Sequence, residues 1–205
     1  MIIGLDFDNT IVDYSNVFSE IAYKLGYLAS PSPLPKENIK SIVFKLPEGE
    51  VKWGLLQAEV YSEGIVNAKI MKGFHRFINL CRSYNISVSI VSHKTIYNKY
   101  DSKRRNLRKS AMNWMKDNNF FDNNGLGFDN NQIYFEDTPL AKIKRIKQLK
   151  CTHFVDDLET ILLHPNFPSN VVKVLLCADE YYDNVGLLNV YRNWNEITNY
   201  IFCNG

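Results

Sequence analysis

Short apolar runs that read as strands alternate with longer segments of helical period along nearly the whole chain, and this alternation decides the fold class. The first run, IIGLDF, ends on two aspartates, Asp6 and Asp8. From Ser15 the period changes, with Val17, Phe18, Ile21 and Leu25 on one helical face and Gly26 as a stop. Prolines at 31, 33 and 35 mark a connection. Residues 36–66 read as a less regular helical stretch around Trp53, Leu56 and Val60, broken by LPEG and SEG. Beyond Gly73, Phe74, Phe77, Ile78 and Cys81 predict another helix, and 86–91 a strand. In the second half, Leu107, Ala111, Trp114 and Met115 form a helical stripe. Strands are predicted at 132–136, 152–157 and 171–177, and a closing helix at 193–202. Thr138 followed by Pro139 has the chemistry of a helix start, a capping hydroxyl and then a first-turn proline.

Strands and helices of these lengths imply an α/β fold: a three-layer, Rossmann-like parallel sheet with helices on both faces. Ligands of such sheets bind at the carboxyl ends of the strands. Asp6, Ser92 and Asp156 all fall at such ends, which turns three distant positions into one candidate pocket. At 205 residues and 45% apolar composition the chain suits one large domain, or one domain with a modest insertion. The formal net charge of +2 gives no strong signal for nucleic acid or a membrane surface. Cys81, Cys151, Cys177 and Cys203 show no paired spacing and read as thiols in a reducing compartment. With no leader pattern and no apolar run of spanning length, a soluble cytoplasmic chain is expected; its oligomeric state is not encoded in these features.

Side chains alternate along a strand, so Asp6 and Asp8 are expected on one side, with Phe7 on the other. Two adjacent carboxylates repel, and they favour a shared proton or a cation. A hard divalent ion such as Mg²⁺ suits an all-oxygen site. Asp156 and Asp157 supply further carboxylates, Ser92 a hydroxyl, and Lys142 a cation 14 residues before Asp156. Together these provide what phosphoryl transfer requires, namely positioning and charge neutralisation around a phosphate. The plainer alternatives are a solvated loop for Asp6 and Asp8, and a helix N-cap for Asp156 and Asp157.

DFDNT (Asp6 to Thr10), Ser92 after SIV, Lys142 and VDD resemble, in order, the four motifs of the haloacid dehalogenase-like (HAD) superfamily. The resemblance implies that Asp6 is a nucleophile forming an aspartyl-phosphate and that Asp8 is the general acid and then the general base. It implies that Ser92, Lys142 and Asn9 bind phosphate. It further implies Mg²⁺ held by Asp6, the backbone carbonyl of Asp8 and the pair Asp156 and Asp157. Of that pair, Asp157 takes the direct position and Asp156 the adjacent one; Lys144 is the second choice for the lysine. Asn9 stands where many members have glycine, a change that a left-handed turn tolerates. Asp8 argues against dehalogenation, because a halide leaves without a proton.

Between Asp8 and Ser92 lie 83 residues, more than one crossover helix requires. The resemblance places a cap in that slot, so 27–70 is expected as a small helical cap, and 1–26 with 71–205 as the core domain. His93 and Lys94, directly after Ser92, are possible substrate contacts. The basic run from Lys94 to Lys109 reads first as the wet face of an amphipathic helix, with an anion-binding wall as the alternative. The function expected from these readings is a Mg²⁺-dependent phosphomonoesterase acting on a phosphorylated small molecule. A phosphotransferase or phosphomutase with the same chemistry, or a non-catalytic binding protein on the same scaffold, is the rival.

Overall fold

Ile3 and Leu5 are wholly buried and flank Gly4, a strand with apolar contacts on both faces and hydrogen-bonded neighbours on both edges. A Cβ at Gly4 would lie 2.5 Å from the Phe154 ring, so only glycine lets these two strands approach so closely. The computed structural model describes residues 1–179, 182 and 186–203.

In chain order the first half carries β1 (Ile2–Leu5), β2 (Val12–Asp13), α1 (Ser15–Lys24), α2 (Lys36–Phe44), α3 (Gly49–Tyr61), β3 (Lys69–Ile70), α4 (Phe74–Ser83) and β4 (Ser87–His93). The second half carries α5 (Leu107–Asp117), β5 (Ile133–Glu136), α6 (Pro139–Gln148), β6 (His153–Asp156), α7 (Glu159–Leu162), β7 (Val172–Leu176), β8 (Asn189–Tyr191) and α8 (Trp194–Cys203). Six strands form one sheet in the order β5-β4-β1-β6-β7-β8, every pair parallel. β2 and β3 pair separately. This is the expected α/β architecture. Among the described residues no helix is long and apolar enough to cross a membrane.

The chain divides into two units, 1–12 with 70–93 and 119 onward, and 13–69 with 94–118. The first contains the sheet. Along β4, Val91 packs with Ile143 and Ile146 of α6, whereas Val88 lines a cleft with Ile78 and Cys81 of α4. Val88 and Val91 are of opposite parity on the strand, so α6 and α4 cover opposite faces. On the α6 face the core continues through Phe154, Ile161, Leu162, Phe167 and Leu175. Elsewhere in this unit, Phe74 and Phe77 pack on Trp194 of α8 with ring centroids 5.1 and 4.7 Å apart. Each such fully buried apolar side chain contributes about 1.5–3 kcal/mol relative to exposure.

The second unit is helical and larger than the 27–70 segment expected from the sequence. It takes in α1 and α5 because their apolar stripes are buried among its other elements. Phe18 of α1 stacks on Trp53 of α3 at 5.6 Å, and Trp114 of α5 donates Nε1–H to the Ala68 carbonyl at 3.1 Å. The basic run also differs from its first reading. Only its end lies on a helix, because α5 begins at Leu107. Ahead of it, Arg105 bonds Asp101 through Nε at 2.9 Å and pairs with Glu59, which ties this arginine into the unit, whereas Lys99, Lys103 and Arg104 remain exposed.

Three local differences complete the comparison. β4 extends through His93, placing Ser92 and His93 in the ladder opposite Phe135 and Glu136. β8 and the short α7 were not anticipated. The turn after β1 forms as expected, with Asn9 at φ 56° and both Ile11 and Val12 donating to the Phe7 carbonyl.

Candidate active site

The sheet order alone brings the chemistry together, because β4, β1 and β6 are neighbours and carry Ser92, Asp6 and Asp156 at their carboxyl ends. Asp6 leaves the ladder with a last backbone bond, its N–H to the Val155 carbonyl at 2.9 Å. Phe7 is wholly buried and packs edge-on against Phe135 at 6.2 Å, which anchors the residue between the two carboxylates. Asp8 and Asn9 follow in the turn and are half-buried.

Lys142 reaches the same place from α6. Thr138 accepts the Ala141 N–H at 3.1 Å and Pro139 opens the helix, so Lys142 falls in its first turn. Its ammonium donates to Asp6 Oδ1 at 2.6 Å and to Asp156 Oδ2 at 2.7 Å, with Lys142 and Asp156 almost entirely buried and Asp6 5% exposed. Lys144, the other candidate, is exposed. The second oxygen of Asp156 accepts the Leu158 N–H at 3.0 Å, whereas Asp6 Oδ2 has no hydrogen-bond partner among the described residues. Ser92 is buried, and its hydroxyl likewise makes no hydrogen bond to a described residue.

The electrostatics follow from one cation facing two buried carboxylates. Burial raises the Asp156 carboxyl to about 6; the Lys142 charge opposes the rise and the Asp6 charge adds to it. Burial alone would discharge Lys142, but the charges of Asp156 and Asp6 outweigh it and hold the ammonium above its ordinary value. The pair therefore carries more negative charge than Lys142 compensates. Asp157, half-buried, joins them: oxygens of Asp6, Asp156 and Asp157 lie within 4.8 Å of one another. An all-oxygen set with surplus negative charge fits a hard divalent cation.

The remaining candidates separate. His93 ends β4 and lies within hydrogen-bond distance of the Asp137 carbonyl, Nε2 to O 3.2 Å. Lys94 belongs to the second unit, where it is buried with its ammonium 4.6 Å from the centre of the Tyr61 ring. Two groups at the site carry no side-chain signature in the sequence: the Leu158 N–H on Asp156 and the Asp137 carbonyl on His93. Their only signal is position, in loops that follow strands.

No protein-family model matches the chain, and no curated protein matches it. Solved structures do. A haloacid dehalogenase-like family hydrolase from Streptococcus pneumoniae aligns over 98% of this chain and 97% of its own, with TM-score 0.62 and 16% identity. A HAD-superfamily hydrolase from Ehrlichia chaffeensis covers 97% of this chain and 94% of its own, with TM-score 0.54 and 17% identity. A HAD family hydrolase from Deinococcus radiodurans, crystallised with phosphate and sodium bound, covers 97% and 93% with TM-score 0.54 and 10% identity. The chain has the HAD-like fold; identities this low show the fold alone.

Proposed function

We propose that this chain, built on the HAD-like fold, is a Mg²⁺-dependent phosphohydrolase that acts on a phosphorylated small molecule through an aspartyl-phosphate on Asp6. The observation that carries the reading is the buried Lys142 ammonium shared between Asp6 and Asp156. A lysine in this position fixes Asp6 through Oδ1 and leaves Oδ2 to attack phosphorus. The phosphate seen in the Deinococcus radiodurans neighbour supports the choice of ligand.

In the first step Asp6 Oδ2 forms a bond to phosphorus as the ester oxygen departs. Asp8 gives that oxygen its proton. In the second step Asp8, now a carboxylate, takes a proton from water, and the hydroxide displaces phosphate from Asp6. The Ser92 hydroxyl and Asn9 hold phosphate oxygens, and Lys142 offsets the charge that accumulates on Asp6. Asp6, Asp157 and the Asp8 carbonyl, with Asp156 alongside, would hold Mg²⁺, which would neutralise charge on the phosphate oxygens.

The test is release of phosphate from p-nitrophenyl phosphate by wild type and Asp6→Asn, each with Mg²⁺ and with chelator. Wild type is expected to turn over only with Mg²⁺, and Asp6→Asn to fall by at least about a thousandfold. Undiminished activity in Asp6→Asn would remove Asp6 as nucleophile.

A further inference from the structure

The formal charge of the whole chain, +2, conceals an uneven distribution. The second unit holds 14 lysines and arginines against nine aspartates and glutamates, whereas the first is acidic, with ten against 13. The excess is local. Residues 94–109 carry seven of these cations and one acid, Asp101. That acid is buried and engaged within its own segment, accepting from the backbone N–H groups of Lys103 and Arg105 and from Nε and Nη2 of Arg105. Lys99 is matched by Glu50 at 3.1 Å. Lys103, Arg104 and Lys109 are exposed, and no carboxylate among the described residues pairs with them. The first turn of α5, which includes Lys109, contains no acid either.

The segment that presents these cations is held in place. The Leu107 N–H donates to the Ile96 carbonyl at 2.9 Å, which closes the loop between them. Tyr100 packs on α3 at Gly54, where a Cβ would lie 2.3 Å from its ring, and its hydroxyl donates to Glu50 at 2.6 Å. Beside the cations lies an exposed ring. Tyr97 is 38% exposed, with the Arg104 guanidinium 4.5 Å from its centre.

Water satisfies a lone exposed cation, but several cations without acids repel one another, and a single polyanion spanning them relieves that repulsion. A chain of phosphates does so with release of its counterions. The Tyr97 ring and the Arg104 plane add a surface on which a base can stack, which distinguishes a single-stranded nucleic acid from a lipid surface. We infer that the loop 96–107, with Lys109 beside it, is a docking surface for single-stranded nucleic acid. Lys103, Arg104 and Lys109 contact phosphates, and a base stacks at Tyr97. Binding here does not depend on base identity. It is also independent of the phosphohydrolase reading, and stands or falls without it.

The experiment is fluorescence anisotropy of a labelled oligothymidylate of about twelve nucleotides, without terminal phosphate, titrated with the full chain at low salt. Wild type is expected to bind, with log affinity falling against log salt at a slope of about −2, as three phosphate contacts require. The combined variant Lys103→Gln, Arg104→Gln and Lys109→Gln is expected to bind at least about tenfold more weakly, with a slope near zero. Tyr97→Ala is expected to lose about fivefold or more and to keep the wild-type slope. No binding by wild type overturns the inference, and so does a combined variant that binds like wild type. Unchanged affinity in Tyr97→Ala overturns the stacking that singles out nucleic acid. Capture by phosphatidylserine vesicles without oligonucleotide binding assigns the surface to a membrane and also overturns the inference. Should the combined variant not fold, Lys103→Gln decides, because its side chain is exposed and makes no hydrogen bond to a described residue. Its slope is expected to be shallower by about 0.7, and an unchanged slope overturns the inference.

Discussion

Lys142 is where the site's stability and its chemistry meet. A buried ammonium between two carboxylates is costly to assemble, and removing it costs more, because two charges are then left without their partner. Lys142→Met is expected to lower unfolding stability by about 3–5 kcal/mol in metal-free buffer, measured by urea denaturation. A loss within about 0.5 kcal/mol would mean the contacts with Asp6 and Asp156 are not maintained in solution. The lysine was legible in the sequence through its distance from Asp156 and the helix start at Thr138. What the sequence did not carry was that Lys142 holds both carboxylates, or that Asp156 spends its other oxygen on the Leu158 N–H. Backbone donors have no residue type to announce them. Asn9 was readable for the opposite reason, since few residues besides glycine and asparagine accept φ near 56° readily.

Among the elements, α6 has the clearest local code. Its cap and first-turn proline set where the helix begins, and that start sets which lysine points inward. Thr138→Ala removes the acceptor for the Ala141 N–H and is expected to cost about 1 kcal/mol in a denaturant titration. A substitution with no cost would mean the cap is dispensable and the register of Lys142 is fixed by packing alone. The segment before α5 is the contrasting case. Its charges read as a solvated helical face, yet Arg105 is tied to Asp101 and Glu59, because a charge run does not declare which carboxylates it will meet. The hydrogen bond from Arg105 holds the Asp101 carboxyl below its ordinary 3.8. A depressed acid stabilises the fold fully above its unfolded value and loses that contribution as pH falls through the folded value. Asp101→Asn is therefore expected to reduce stability at pH 7 and to flatten its decline below about pH 4. Equal acid sensitivity in wild type and variant would show that Asp101 is not a source of it.

For the whole molecule, the alternation of strands and helices was enough to give a parallel α/β sheet, and the carboxyl-end rule was enough to gather Asp6, Ser92 and Asp156. The division into units was less legible. An amphipathic stripe records that a helix face is buried but not what buries it, so α1 and α5 were assigned to the sheet and instead belong with α2 and α3. β8 was too short to leave a periodic signal. The central claim is the covalent intermediate on Asp6, and the division of labour with Asp8 provides a way to trap it. p-Nitrophenolate leaves without needing a proton, so Asp8→Asn should still be phosphorylated by the aryl ester, whereas hydrolysis of the phosphoenzyme requires the missing base. The decisive measurement is mass spectrometry of Asp8→Asn quenched during turnover of p-nitrophenyl phosphate with Mg²⁺. A phosphate adduct on the peptide bearing Asp6, absent from Asp6→Asn, is the expected result; full steady-state turnover by Asp8→Asn with no adduct would contradict it.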